Sequence, residues 1–246
     1  MDVANPARWS PEDSARRVLV ITAHPDDVDF GAAGTVKVLT DAGIEVSYCI
    51  VTNGDAGSSD PHQTAAEIAE IRQREQRAAA AAVGVHHVVF LGYPDGEVEP
   101  TIALRRDLSR VIRQVRPDRV ICQSPERNWE RIYGSHPDHL AAGEAAIRAV
   151  YPDARNHHAH KVLMAEGLEP HTVPEVWVMA ASAPTIVVDT THAFGSKLAA
   201  LRCHQSQVGE GEHLEQLLRT WGESQARAAG LEEGHLAEGF RVVNTA

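Results

Sequence analysis

The chain has 246 residues, of which 43% are apolar and 23% charged, and it carries a net charge of −11 with histidine neutral. This is the profile of a folded globular protein long enough to bury a core, and it argues against disorder. So acidic a chain without a cluster of Lys and Arg is a poor partner for nucleic acid or an anionic membrane, and no apolar run reaches the roughly 18 residues of a spanning helix.

Cysteine is scarce: Cys49, Cys122 and Cys203 stand far apart, beside 14 histidines. They form neither a disulfide framework nor a zinc knuckle, which fits a reducing compartment. Met1 to Ser10 shows no apolar signal segment, so a cytoplasmic location is expected. Any metal is expected on imidazole and carboxylate.

In chain order, 17–23 (RVLVITA) is a short, β-branched apolar run and predicts a buried strand. A helix follows at 31–41, a strand at 44–52, and a turn-rich loop at 53–62. The Ala/Glu/Arg-rich segment 64–83 predicts a long helix stopped by Gly84. A strand at 87–91, a helix at 104–115 before Pro117, a strand at 119–123 and a helix at 140–150 continue the alternation. Residues 151–174 predict a long connection with a short strand near 161–165. Strands at 176–180 and 185–188 and helices at 194–204 and 212–229 complete the chain. The pattern predicts an α/β fold, a Rossmann-like and mostly parallel sheet flanked by helices. It forms one domain over 1–246, with 1–15 as a flexible tail.

Two motifs carry chemistry. Ala23-His24-Pro25-Asp26-Asp27 directly follows the first strand, and in open α/β sheets the carboxyl ends of strands face the ligand crevice. Adjacent carboxylates beside an imidazole repel unless a cation or proton lies among them. A lone Asp at such a turn is an ordinary helix cap; His-Pro-Asp-Asp is more than a cap requires. Ser135-His136-Pro137-Asp138-His139 follows the fourth strand. Ser135 and Asp138 fit a capping box and Pro137 a first helical turn. Capping explains neither histidine, and three-residue spacing puts both on one helix face. Two histidines and one carboxylate from these motifs make a His-His-Asp site with an open position, the pattern of catalytic zinc.

These motifs resemble those of the PIG-L/LmbE-like family of zinc-dependent N-deacetylases. Thr52-Asn53-Gly54-Asp55 with Gly57, Arg72 with Glu75, Leu91 through Gly96, and Lys197 through His204 to Gln207 extend the similarity over most of the chain. The resemblance implies His24, Asp27 and His139 as metal ligands and Asp26 as general base. It implies His136 as acid or oxyanion stabiliser, oriented by Asp138. Arg72, Asn53, Asp55, Trp129 and His204 are candidate substrate contacts. Arg72 has a competing structural reading, an i,i+3 pair with Glu75. The implied cofactor is Zn2+, with Fe2+ suiting the same donors. The implied partner is a small N-acylated amino sugar or glycoconjugate, with no nucleic acid and no membrane. Relatives assemble as trimers or hexamers, which implies a homo-oligomer. One departure is visible: relatives follow the first motif with an acid, where this chain has Val28 and then Asp29.

The resemblance leaves an amidase of thiol conjugates of amino sugars as an alternative. A non-catalytic metal-binding protein is a third reading, although it would have no use for Asp26 and His136. Dinucleotide binding fails, because the first βα turn lacks a GxGxxG cradle. His157, His158 and His160 read as a solvated surface group.

Overall fold

The computed structural model describes residues 6–10, 14–130, 132–209 and 213–246. Its strands are β1 (Ala7–Arg8), β2 (Arg17–Thr22), β3 (Glu45–Thr52), β4 (His87–Tyr93), β5 (Arg119–Gln123), β6 (Glu175–Met179), β7 (Ile186–Asp189) and β8 (Ala237–Asn244). They form one sheet in the order β1-β7-β8-β6-β5-β2-β3-β4. Pairing is parallel except at β8, which lies antiparallel to both β6 and β7. The helices are α1 (Asp27–Asp41), α2 (Ala65–Ala82), α3 (Ile102–Val115), α4 (Pro137–Arg148), α5 (Lys161–Ala165), α6 (Phe194–Arg202), α7 (Gln205–Val208) and α8 (Leu214–Ala228). No described helix is long and apolar enough to cross a membrane.

Strand β2 shows why the sheet is covered on both sides. Its side chains alternate across the sheet. Val18 and Val20 pack on one face with Val36 and Leu39 of α1 and Ala79 and Ala80 of α2. Leu19 and Ile21 pack on the other with Leu104, Leu108 and Ile112 of α3 and Ala142 and Ala145 of α4. A strand buried on both faces reads as a continuous apolar run, which is what 17–23 shows.

From β2 the chain proceeds outward through β3 to β4, whereas β5 pairs on the other side of β2 and leads to β6. The order therefore reverses between β2 and β5, and the crevice at their carboxyl ends is the topological switch point, where open α/β sheets bind ligands. The two motifs leave β2 and β5 at this point. Ala23 N–H donates to Gln123 Oε1 at 2.9 Å and ties the two strand ends together.

Three expectations are corrected. Residues 161–165 (KVLMA) form the short helix α5 instead of a strand; a five-residue, mostly apolar segment carries too little periodicity to separate the two. Within the expected tail, Ala7–Arg8 pairs with β7; residues 1–5 and 11–13 of that tail, and the first residue of the helix expected at 212–229, lie outside the described residues. Strand β8 was not anticipated, because Glu238 and Gly239 near its start are poor strand formers.

Candidate active site

The turn after β2 begins α1 abruptly. Asp26 lies immediately before the helix with φ 94° and ψ −28°, a left-handed conformation, and its side chain makes no cap hydrogen bond. For a residue with a side chain that conformation costs on the order of 1–3 kcal/mol and persists only where surrounding contacts fix it. Here they do. Arg72 Nη2 donates to Pro25 O at 2.6 Å and to Asp26 Oδ2 at 2.9 Å, and Arg72 Nη1 donates to Gly54 O at 3.2 Å. A Cβ on Gly54 or Gly57 would stand 2.5 or 2.3 Å from Arg72 Nη1, so the guanidinium occupies the space those glycines leave.

Asp27, the first residue of α1, accepts from the His24 backbone N–H at 2.7 Å. Its carboxylate faces two imidazoles, with Oδ1 2.9 Å from His139 Nε2 and Oδ2 3.4 Å from His24 Nδ1. His24 Nδ1 and His139 Nε2 are themselves 3.2 Å apart. A tetrahedral ion with bonds of about 2.0–2.1 Å separates its ligand atoms by about 3.3 Å. Two nitrogens 3.2 Å apart, each 2.9–3.4 Å from one oxygen of the same carboxylate, thus suit a divalent metal in chemistry and approximate spacing.

The other His24 nitrogen turns away. His24 Nε2 lies 2.9 Å from Asp95 Oδ1 and 3.1 Å from Asp138 Oδ2. Asp138 is wholly buried, and it also accepts from Gly96 N–H at 2.7 Å and Val98 N–H at 3.3 Å. A carboxylate behind an imidazole fixes the tautomer that leaves the opposite nitrogen free to bind a cation.

His136 caps α4 in place of the expected Ser135–Asp138 box: its Nδ1 accepts from Asp138 N–H at 3.2 Å. Ser135 Oγ instead accepts from Asn128 N–H at 2.8 Å. Asp138 therefore meets His136 through its backbone N–H, while its carboxylate serves His24. The His136 ring centroid lies 4.9 Å from that of His24 and 5.3 Å from that of His139. Among the described residues, His24 also belongs to two groups of donors close enough to share an ion, one with His136 and His139, the other with Asp95 and Asp138. The cluster His157, His158 and His160 forms no such group: the first two are exposed, and His160 is bound to Asp153.

Electrostatics follow from this crowding. Burial pushes the His24 pKa down, but hydrogen bonds to Asp27 and Asp95 outweigh it and lift it from 6.5 to about 11. Carboxylates that hold a proton so firmly hold a metal cation for the same reason. Asp27 lies far below the usual carboxylate range; burial opposes this, and the contacts to His139 and His24 overcome it. Asp26 moves the other way, from 3.8 to about 7, because burial and the adjacent Asp27 outweigh Arg72. Burial and the neighbouring His24 and His139 lower the pKa of His136.

The candidate substrate contacts divide. Arg72 is buried and committed to Asp26, and Glu75 accepts from Ser206 instead of from Arg72. His204 is wholly buried, with Nε2 2.8 Å from Asp29 Oδ2. Both are interior residues of the chain. Asn53 Oδ1 accepts from Gln73 Nε2 at 2.8 Å, and Asp55 Oδ1 accepts from Asp95 N–H at 3.1 Å. Trp129 is 79% exposed in the loop between β5 and α4. Asp95 and Gln76 were not anticipated as site residues. The signal for Gln76 is the buried stripe Ile68, Arg72, Gln76, Ala79, Ala80 of α2, in which two polar residues stand where apolar ones are usual. The signal for Asp95 is an acid on the loop after a neighbouring parallel strand.

The fold and this cluster define a class: an open α/β protein with a carboxylate–imidazole cluster at its switch point that could hold a cation. Residues 19–150 match the family described as PIG-L, GlcNAc-PI de-N-acetylase, and the chain belongs to that family, whose named relatives are amide-hydrolysing enzymes. It is 36% identical over 236 residues to diacetylchitobiose deacetylase of Thermococcus kodakarensis, covering 95% of this chain and 85% of that protein. A probable N-acetyl-alpha-D-glucosaminyl L-malate deacetylase 2 of Bacillus cereus is 33% identical, covering 78% of this chain and 84% of its own length. The solved structure of N,N′-diacetylchitobiose deacetylase from Pyrococcus horikoshii superposes with a TM-score of 0.87 at 32% identity, over 95% of this chain and 86% of that one.

Proposed function

We propose that this protein is a metal-dependent N-deacetylase. It removes an acetyl group from a small N-acetylated amino sugar or its conjugate, with zinc held by His24 Nδ1, Asp27 and His139 Nε2. The observation that carries the reading is that the two nitrogens stand 3.2 Å apart and each lies 2.9–3.4 Å from one oxygen of Asp27, with Asp26 beside them and outside the set. The ion supplies water activation and polarisation of the amide carbonyl.

The chain's own residues supply the remainder. Arg72 holds Asp26 Oδ2, which leaves Oδ1 to take the proton of the attacking water. A carboxyl with a pKa of about 7 is partly ionised at neutral pH, so it can take a proton in its ionised form and return one to the departing amine. The N–H of Asp138 points at His136 Nδ1, so a neutral His136 carries its proton on Nε2. That N–H is a hydrogen-bond donor for the oxyanion.

Diacetylchitobiose, the substrate named for the archaeal relatives, is the first compound to test. Amine release should be abolished by a chelator and restored by added zinc. Chelator-insensitive release would remove the metal from the reading. Bound zinc without amine release from any acylated amino sugar would favour the non-catalytic alternative. A thiol conjugate in the same screen separates the amidase reading, which uses identical chemistry.

A further inference from the structure

The left-handed Asp26 backbone is held by more than Arg72. Asp26 N–H donates to Gln76 Oε1 at 2.7 Å. A backbone N–H only donates, so it fixes the amide's orientation: Oε1 accepts, and Nε2 is the donor. Nε2 donates to Asp29 Oδ2 at 2.8 Å, and the same oxygen lies 2.8 Å from His204 Nε2. Gln76, Asp29 and His204 come from α2, α1 and the turn between α6 and α7, and all three are wholly buried.

This trio is poorly suited to packing alone. It leaves Asp29 Oδ1 and His204 Nδ1 buried without a hydrogen-bond partner among the described residues. Unpaired buried polar atoms work against stability, and an apolar trio would avoid that cost. What the polar trio provides is direction: it points one acceptor at one backbone N–H. We infer that Gln76 is a positioning residue for hydrolysis. It fixes the main chain of Asp26, and with it the aim of the carboxylate, while Asp29 and His204 fix the Gln76 amide. The inference rests on the reading of Asp26 as general base.

A double-mutant cycle tests it. The wild type, Gln76→Met, Asp26→Asn and the double variant are compared as metal-loaded proteins on N,N′-diacetylchitobiose, with metal content and Tm measured for each. Gln76→Met is expected to keep its metal and lower kcat roughly 10–100-fold, with KM changed by less than about twofold, the scale of a reacting group displaced by about 1 Å. In the Asp26→Asn background the same change should alter kcat by less than about twofold, because nothing remains to be aimed. An equal loss in both backgrounds, or full kcat in folded Gln76→Met, overturns the proposal. Should Gln76→Met not fold, His204→Phe keeps the ring volume, removes the donor and enters the same cycle under the same criteria. Asp26→Asn at the wild-type rate would overturn the base reading itself, a result distinct from a neutral or additive Gln76→Met.

Discussion

Asp26 concentrates the conflicts of this molecule in one residue. Its backbone is left-handed, its carboxyl is buried beside another carboxylate, and a guanidinium is the group that keeps it usable. Arg72 serves three acceptors with one planar fork, which a lysine ammonium does not reproduce. The Arg72 charge lowers the Asp26 pKa, so its removal raises it. In Arg72→Met the acid limb of kcat/KM is therefore expected to move to higher pH, since the base is lost to protonation earlier as pH falls. An unmoved limb with lowered activity would mean that Arg72 serves only to pack. The motif residues of this site were legible in the sequence because they are chain neighbours: His24 to Asp27 and His136 to His139 announce themselves as clusters. Asp95 and Gln76 were not legible, because each is a single polar residue on a separate element. Arg72 was visible but its use was not, since the acceptors it serves are brought to it by the fold.

The elements that place these residues depend on close approach. Helix α4 carries His136 as its cap and His139 in its first turn, and it lies against the end of β5. A Cβ on Gly143 would come within 2.3 Å of Gln123 O, a backbone atom that cannot step aside. Gly143→Ala is expected to destabilise the protein by roughly 1–3 kcal/mol, the usual cost of overpacking, as read by urea unfolding. Unchanged stability would show that α4 can slide without penalty. Strands β2, β3 and β5 were readable because burial on both faces makes them continuous apolar runs. Strand β8 was not, and Glu238 shows why. This acid is buried: it accepts from Gly34 and Thr35 N–H of α1 and pairs with Lys197. A buried acid inside a strand is a tertiary arrangement that strand propensity does not anticipate.

Across the whole molecule, the acidic balance and the site express one preference. A chain of net charge −11 draws cations, and its switch-point crevice gathers Asp26, Asp27, Asp95 and Asp138 around His24. Without an ion, that crowding keeps a proton on His24, whose pKa is pushed up to about 11. On the proposed ligand set, zinc bound at His24 Nδ1 would displace this proton. Affinity is therefore expected to rise with pH through the neutral range, by about tenfold per unit for each proton released. Calorimetric titration of the metal-free protein in buffers of different ionisation enthalpy counts the protons. An affinity independent of pH would contradict the assignment of His24 Nδ1 as a ligand.

On the proposed reading, Asp26 is the base beside a metal it does not bind. The most direct test of that reading is Asp26→Asn, measured for zinc content and for amine release from N,N′-diacetylchitobiose. The geometry predicts full zinc occupancy with turnover lowered by roughly 10²–10⁴, the contribution of a general base. Wild-type turnover in a zinc-loaded Asp26→Asn protein, or loss of the zinc itself, would contradict it.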